Sequence, residues 1–194
     1  QNLANGVISS IHNLRGGGFA PASACATGAQ AIGEALIWVR SWEDIRAMGA
    51  GGFESMMHAL LLAGFDNIRG VMTKDNTNPS RAVKPFDKLR DGFGAAEGAA
   101  AFLIERLSRA LGRRARIRAT ILGYGASYDG RKEKNADMTT PTGEGAALAM
   151  SRALSRSGIK PHEVEYINAH ATGTMGDEVE AWAIREVFGD AADK

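Results

Sequence analysis

Residues 19–29 read FAPASACATGA, and this stretch decides the fold that we expect. It opens with a short apolar run at 19–24, which we interpret as a buried strand despite Pro21. From Cys25 to Arg40 the apolar residues recur at helical steps, so the pattern predicts a helix directly after that strand. Alanine and glycine line this helix, which lets neighbouring backbones approach closely and favours a central, buried position.

Strands and helices alternate outward from this stretch along the chain. Such alternation favours an α/β class with a largely parallel sheet sandwiched by helices. We expect glycines to end a strand at Gly51-Gly52 and a helix at Gly64. The predicted helices cover 2–13, 55–63, 143–158 and 177–188; the predicted strands cover 45–50, 116–126 and 164–168; a buried strand running into a short helix covers 98–107; and long polar loops cover 66–93 and 127–142.

The composition is that of an ordinary globular protein. Hydrophobic residues make up 44% and charged residues 23% of the 194, which excludes a disordered tail, a coiled coil and a membrane protein. A net charge of +1 gives no general attraction to nucleic acid or to an anionic membrane, so we expect neither as a partner. The single cysteine excludes an internal disulfide and a thiolate metal cluster, and it fits a cytoplasmic protein without a metal site.

Cys25 is the first candidate for chemistry. A lone cysteine in a soluble chain is usually a small buried hydrophobe, and that interpretation stays open on the residues alone. Its predicted place, where a strand becomes a helix, is similar to a nucleophile elbow, which exposes the side chain. Unpaired N–H groups at the helix start favour a thiolate and can stabilise an oxyanion when a thioester carbonyl is attacked.

His170 is the second candidate, in a segment that reads NAHATGT from Asn168. It follows the predicted strand at 164–168, and ligands gather at the carboxyl ends of strands in open α/β sheets. A structural histidine remains the alternative. Thr172 and Thr174 are able to hydrogen-bond an amide-rich ligand there, or they merely cap the helix that follows.

Several motifs, taken in order, resemble those of the beta-ketoacyl-acyl-carrier-protein synthases, the condensing enzymes of fatty-acid and polyketide synthesis. The form SACATGA around Cys25 is similar to the KAS II type of elongation synthase. The resemblance implies the layered α-β-α-β-α fold of the thiolase superfamily, with residues 1–112 in the half bearing the nucleophile and 113–194 in the half bearing the first histidine motif. The motifs are FAPASACATGA at 19–29, GGFE at 51–54, AGF at 63–65, KPFDKLRDGF at 84–93 and YINAHATGT at 166–174.

The resemblance implies an acyltransferase that works in two stages. Cys25 would accept an acyl group from acyl carrier protein as a thioester. His170 would then stabilise the enolate that forms when a malonyl donor loses carbon dioxide, and the carbanion would attack the Cys25 thioester to release a beta-ketoacyl product. Both substrates are carried on the phosphopantetheine of acyl carrier protein, so no cofactor of the protein's own is implied.

Further residues match binding positions of the family. Thr172 and Thr174 match threonines that hydrogen-bond the phosphopantetheine arm, and Thr139 is assigned to substrate binding with them. Phe65 matches a phenylalanine of the acyl pocket, and Arg69 matches a basic position near the carrier-protein docking surface. Family members are dimers, so the resemblance also implies a homodimer that pairs through the strand before Cys25, at about 19–23.

The sequence departs from the family pattern at two positions and at its ends. Ala171 stands where the family usually has glycine, and Asp137 stands where elongation synthases often have histidine. The chain opens on Gln1 and stops before the family's lysine and second histidine. We therefore expect it to be an internal piece of a longer protein and to be inactive by itself.

Two alternatives to fatty-acid elongation stay open. A ketosynthase of a polyketide pathway would perform the same chemistry on other acyl chains. A non-catalytic chain-length partner subunit would bind and shape a chain without being acylated. Such partners replace the nucleophile, whereas Cys25 is present here.

Overall fold

A computed structural model of the chain describes residues 3–68, 70–130 and 141–193. They form two compact units, one made of Gln1–Glu54 and Gly98–Ile121 and the other of Ser55–Glu97 and Leu122–Lys194. The regular elements are α1 (Leu3–Ile11), α2 (Thr27–Ser41), β1 (Ala47–Glu54), α3 (Ala59–Asp66), β2 (Gly98–Glu105), α4 (Leu107–Gly112), α5 (Glu144–Ser157) and α6 (Gly176–Phe188), with 3₁₀ turns at Ala24–Ala26, Pro79–Arg81, Pro161–Glu163 and Gly189–Asp193.

The first unit is built on an antiparallel pair of strands with α2 packed against it. The ladder runs from Ala47 opposite Glu105 to Glu54 opposite Gly98. At Gly52, a Cβ atom would lie 3.2 Å from the Cα atom of Gly28 in α2, which is closer than most side chains tolerate. The prediction that α2 is a glycine-rich helix open to close backbone approach is therefore confirmed.

The strands differ from the sequence prediction in direction and in extent. The sheet in the described residues is this antiparallel pair, so the prediction of a largely parallel sheet is wrong for them. The sequence predicts that the strand at 45–50 ends at Gly51-Gly52, but both glycines lie inside β1. The reason is close packing, because a Cβ atom on Gly51 would lie 2.1 Å from the carbonyl oxygen of Ala100 in the partner strand.

Three further strand predictions are wrong within the described residues. The segments 19–24, 116–126 and 164–168 form no strand there. Residues 122–126 instead lie along α5, because Gly123 and Gly125 leave room for its backbone. Arg156 Nη1 and Arg152 Nη1 donate to the carbonyl oxygens of Tyr124 and Ala126, at 2.7 and 2.6 Å. Apolar alternation predicted hydrogen bonds to a neighbouring strand, whereas the donors to these carbonyl oxygens are arginine side chains of a helix.

The second unit contains α3, α5 and α6. The helices predicted at 143–158 and 177–188 are confirmed as α5 and α6. Gly143, at φ +82°, leads into α5 and sits against the rings of Trp182 in α6. Gly64 was expected to stop a helix, but it lies inside α3, which begins where the His58 Nδ1 atom accepts the Leu60 N–H at 3.3 Å.

Burial also differs from expectation along β2. The strand itself is confirmed and leads into α4 as predicted, but Phe102 and Leu103 are 52% and 62% exposed rather than buried. The buried apolar residues of the first unit lie mainly where α2 meets β1, at Ala35, Leu36, Val39 and Ala50. Among the described residues, no helix is both long enough and apolar enough to cross a membrane.

Candidate active site

Cys25 lies in the 3₁₀ turn that leads directly into α2, and its thiol is exposed. The turn is closed by a hydrogen bond from the Ala26 N–H to the Ser23 carbonyl oxygen at 3.0 Å. The Ser23 N–H donates in turn to Thr27 Oγ1 at 2.9 Å. The prediction of an exposed cysteine at a helix start is confirmed, although the strand expected before it is absent.

The residue before Cys25 adopts a conformation that L-amino acids rarely adopt. Ala24 has φ +48°, in the left-handed region that favours glycine. A non-glycine residue there costs about 1–2 kcal/mol, and such strain clusters at functional sites because the surrounding structure must hold it. This strained residue directly precedes the exposed Cys25 at the beginning of α2.

His170 lies in a loop whose backbone is held by a carboxylate of α6. Glu180 Oε1 accepts the His170 N–H at 2.6 Å, and Glu180 Oε2 accepts the Ala171 N–H at 2.8 Å. Ala171 itself has φ +45°, again in the left-handed region. The imidazole is exposed. Hydrogen bonds of two neighbouring amides to one charged carboxylate are strong enough to fix the strained loop.

Asp177 is the most deeply buried polar residue of the described chain, at 1% exposure. Its carboxylate accepts the Gly173 N–H at 3.1 Å and the Phe86 N–H at 2.7 Å. The second of these bonds holds Phe86 at φ +59°. Asp177 therefore joins the loop of His170 to the segment 84–93 of the same unit.

Thr172 and Thr174 are brought together, with their hydroxyl oxygens 2.8 Å apart. Thr174 Oγ1 also accepts the N–H of Gly176, the first residue of α6, at 3.2 Å. The two hydroxyls thus form a small polar pair at a helix start. Such a pair can donate to and accept from an amide of a ligand.

Phe65 and Lys84 belong to the same unit as this loop. The ring of Phe65, in α3, meets Phe93 edge to face at 5.4 Å between centroids. Lys84 Nζ lies 3.2 Å from Asp75 Oδ2. Hydrogen bonds from Thr77 and from Lys84 lower the pKa of Asp75 to about 2.

The predicted site residues are divided between the two units and the part of the chain that is not described. Arg69 and Thr139 lie outside the described residues. His170, Thr172, Thr174 and Phe65 all belong to the second unit, whereas Cys25 belongs to the first. Within the described ranges, no cluster of histidine, cysteine, aspartate and glutamate is arranged to hold a metal ion.

The sequence analysis missed the residues that hold the histidine loop. These residues are Asp177, Glu180 and Arg90, and none of them was predicted to have this role. The signal was the spacing of Asp177 and Glu180, three residues apart on one face of a helix that follows the NAHATGT loop. Two carboxylates on the same face can both reach the amides of that preceding loop.

Comparisons with known proteins agree along the whole chain. Residues 1–110 match the family described as "Beta-ketoacyl synthase, N-terminal domain", and residues 118–194 match "Beta-ketoacyl synthase, C-terminal domain". A mitochondrial 3-oxoacyl-[acyl-carrier-protein] synthase of Arabidopsis thaliana is 43% identical over 98% of this chain and 41% of its own length. The 3-oxoacyl-[acyl-carrier-protein] synthase 2 of Rhizobium meliloti (strain 1021) is 41% identical over 100% of this chain and 45% of its own length.

A solved structure gives the same result for the fold. It is a type II PKS acyl-carrier protein in complex with its ketosynthase, bound to the hexaketide. The match has a TM-score of 0.87 and 28% identity over 97% of this chain and 46% of that chain. The predicted thiolase-like α/β fold is therefore confirmed. The chain spans less than half the length of each protein compared here.

Proposed function

Because the chain belongs to the beta-ketoacyl synthase family, we propose that the whole protein is a 3-oxoacyl-[acyl-carrier-protein] synthase of fatty-acid elongation. It would join a malonyl group on acyl carrier protein to an acyl chain held on Cys25, with loss of carbon dioxide. The observation that carries the proposal is the exposed Cys25 thiol in a strained turn at the start of α2.

In the first stage, the Cys25 sulfur attacks the thioester carbonyl of acyl-loaded carrier protein. A carbon–sulfur bond to Cys25 forms, and the carrier thiol leaves with a proton. Cys25 directly precedes the first turn of α2. The N–H groups in the first turn of a helix favour a negative charge that develops nearby. Such donors stabilise the oxyanion of the tetrahedral intermediate more than the neutral carbonyl of the substrate, which lowers the barrier.

In the second stage, His170 stabilises the enolate that appears when the malonyl group loses carbon dioxide. The enolate carbon then attacks the Cys25 thioester, so that a carbon–carbon bond forms, the thioester bond breaks and the Cys25 thiol is regenerated. The exposed imidazole on a fixed backbone supports this role, since Glu180 holds the amides of His170 and Ala171. An N–H donor fixed in advance is effective because it needs no reorganisation as charge develops.

The proposal also assigns residues to binding of the carrier arm and the acyl chain. The paired hydroxyls of Thr172 and Thr174 would hydrogen-bond the phosphopantetheine arm. Phe65 would line the acyl pocket, with Thr139 on the substrate side and Arg69 at the carrier-protein docking surface. The arm belongs to the substrate, so the protein would need no cofactor of its own.

Several properties of the whole protein belong to the proposal too. The structural match to a ketosynthase in complex with its carrier protein supports acyl carrier protein as the partner. The homodimer through residues 19–23 and the division into halves at 1–112 and 113–194 rest on the resemblance, and the cytoplasmic location rests on the single cysteine.

A polyketide ketosynthase is the second candidate. Its support is the structural match at 28% identity, whereas the two synthases of the acyl-carrier-protein type are 41% and 43% identical. The higher identities favour fatty-acid elongation. A non-catalytic chain-length subunit is disfavoured because Cys25 is present and exposed.

The test is acyl loading of the whole protein, followed by mass spectrometry. We expect Cys25→Ala to take up no acyl group from acyl carrier protein. We expect His170→Ala to be acylated at a rate within about threefold of the unmodified protein but to form no beta-ketoacyl product, since only the second stage uses the imidazole. Acylation of Cys25→Ala at the normal rate, or no acylation of the unmodified protein, would overturn the proposal.

A further inference from the structure

Arg90 is a polar residue of the second unit to which the proposed function assigns no role. It lies in the irregular segment between the 3₁₀ turn at Pro79–Arg81 and β2, and its side chain is 15% exposed. Arg90 Nε donates to the Thr174 carbonyl oxygen at 2.7 Å, and Arg90 Nη1 donates to the Asp87 carbonyl oxygen at 3.0 Å. The third nitrogen, Nη2, lies 3.2 Å from Glu178 Oε1.

The ion pair with Glu178 is the weakest of these contacts. The Glu178 side chain is 80% exposed, and exposed ion pairs contribute little to stability because water screens them. The contact to the Thr174 carbonyl oxygen is different, because it is partly buried and joins two stretches of backbone that belong to no helix or strand. The contact to the Asp87 carbonyl oxygen is exposed and stays within the segment that contains Arg90. A charged donor on a carbonyl oxygen, shielded from water, fixes that backbone more firmly than a surface ion pair.

A second contact ties the same two stretches together one residue away. The Gly92 N–H donates to the Gly173 carbonyl oxygen at 2.9 Å. Segment 84–93 therefore donates one bond to the Gly173 carbonyl, which lies between the two threonines, and one to the Thr174 carbonyl, which directly follows the second threonine. Rotation of this backbone would separate the Thr172 and Thr174 hydroxyls, which are 2.8 Å apart.

We propose that Arg90 is a positioning residue, which holds the Thr174 carbonyl so that the Thr172 and Thr174 hydroxyls face the pantetheine arm as a pair. This inference rests on the arm-binding role proposed for the two threonines. The planar guanidinium suits the task, because it offers donors in three fixed directions to Thr174, Asp87 and Glu178. A lysine ammonium on a flexible stem does not reproduce that fork.

The experiment measures the dissociation constant of malonyl-pantetheine for the whole protein carrying Cys25→Ala, in which no condensation occurs. In this background, we expect Arg90→Gln to raise the dissociation constant about tenfold, as loss of one charge-assisted hydrogen bond predicts. We expect Arg90→Lys to raise it about fivefold, because the charge remains but the fork is lost. The matched control is Arg185→Gln, which removes an exposed ion pair to Asp193 in the same unit and is expected to change nothing.

A purely structural role for Arg90 predicts a different result. It predicts a lower melting temperature with an unchanged dissociation constant, and this result would overturn the inference. If Arg90→Gln does not fold, Arg90→Lys is the test. A dissociation constant of Arg90→Lys equal to that of the protein carrying Cys25→Ala alone would then overturn the inference. Absence of any malonyl-pantetheine binding also overturns the inference. Normal binding by a protein whose Cys25 takes up no acyl group would refute the proposed function alone.

Discussion

The turn at Cys25 and the loop at His170 each contain an alanine with positive φ, but different contacts hold the backbone in the two regions. Each places an alanine in the left-handed region beside the candidate reactive residue, Ala24 at φ +48° and Ala171 at φ +45°. The turn at Cys25 is held by short-range bonds to Ser23 and by the start of α2. The loop at His170 is instead held by the carboxylate of Glu180 in the following helix.

This difference fits the chemistry proposed for each residue. A nucleophile must be exposed, and the turn at the start of α2 exposes Cys25 without a partner from another element. An imidazole that stabilises a developing enolate must instead be fixed in direction, which calls for supports outside its own loop. The same backbone strain therefore serves exposure in one region and orientation in the other.

The largest effect is expected from removing the support of the histidine loop. In the whole protein, Glu180→Ala leaves the N–H groups of His170 and Ala171 without their acceptors, and we expect condensation to fall about 100-fold. Loading of Cys25 should stay within about threefold, because the turn at Cys25 has its own supports. Glu180→Gln keeps one oxygen acceptor and should give an intermediate loss. Equal losses of loading and of condensation would contradict the separation of the two regions.

A smaller effect is expected from relieving the strain itself. Ala171→Gly removes a left-handed alanine, and we expect it to stabilise the protein by about 0.5–1 kcal/mol in denaturant unfolding, after the entropy cost of glycine is included. The control is Ala169→Gly, at a position without positive φ, which should destabilise instead. Stabilisation by both variants, or by neither, would mean that the φ of Ala171 is not a source of strain.

The smallest effect concerns the acid–base behaviour of Asp75, beside the segment that contacts Gly173. Its pKa is about 2 in the folded protein, against an ordinary value of 3.8, because of hydrogen bonds from Thr77 and Lys84. The stabilising contribution is therefore complete above about pH 4 and is lost as the pH falls through the folded value.

A carboxyl carbon NMR titration of Asp75 checks this prediction. In Thr77→Val, which removes the hydroxyl donor and keeps the shape of the side chain, the pKa should move back towards the ordinary value. An unperturbed titration in the unmodified protein would show that neither Thr77 nor Lys84 acts on Asp75.

The sequence by itself determined the helices and the candidate reactive residues. Periodic apolar residues and glycine ends located α2, α5 and α6, because a helix is a local structure whose pattern repeats within a few residues. The motif around Cys25 likewise indicated an exposed thiol at a helix start, which the structure contains. The family followed from several motifs in order, and the comparisons confirm it.

Only the tertiary structure decided which stretches pair and what holds the histidine loop. The antiparallel β1–β2 ladder joins residues far apart in sequence, and the apolar segment at 116–126 forms no strand because part of it lies along α5. Glu180, Asp177 and Arg90 act through contacts to backbone amides and carbonyls, which every residue possesses, so the sequence does not specify which amides and carbonyls they contact. Long-range partners are chosen by packing, and packing is a property of the folded chain.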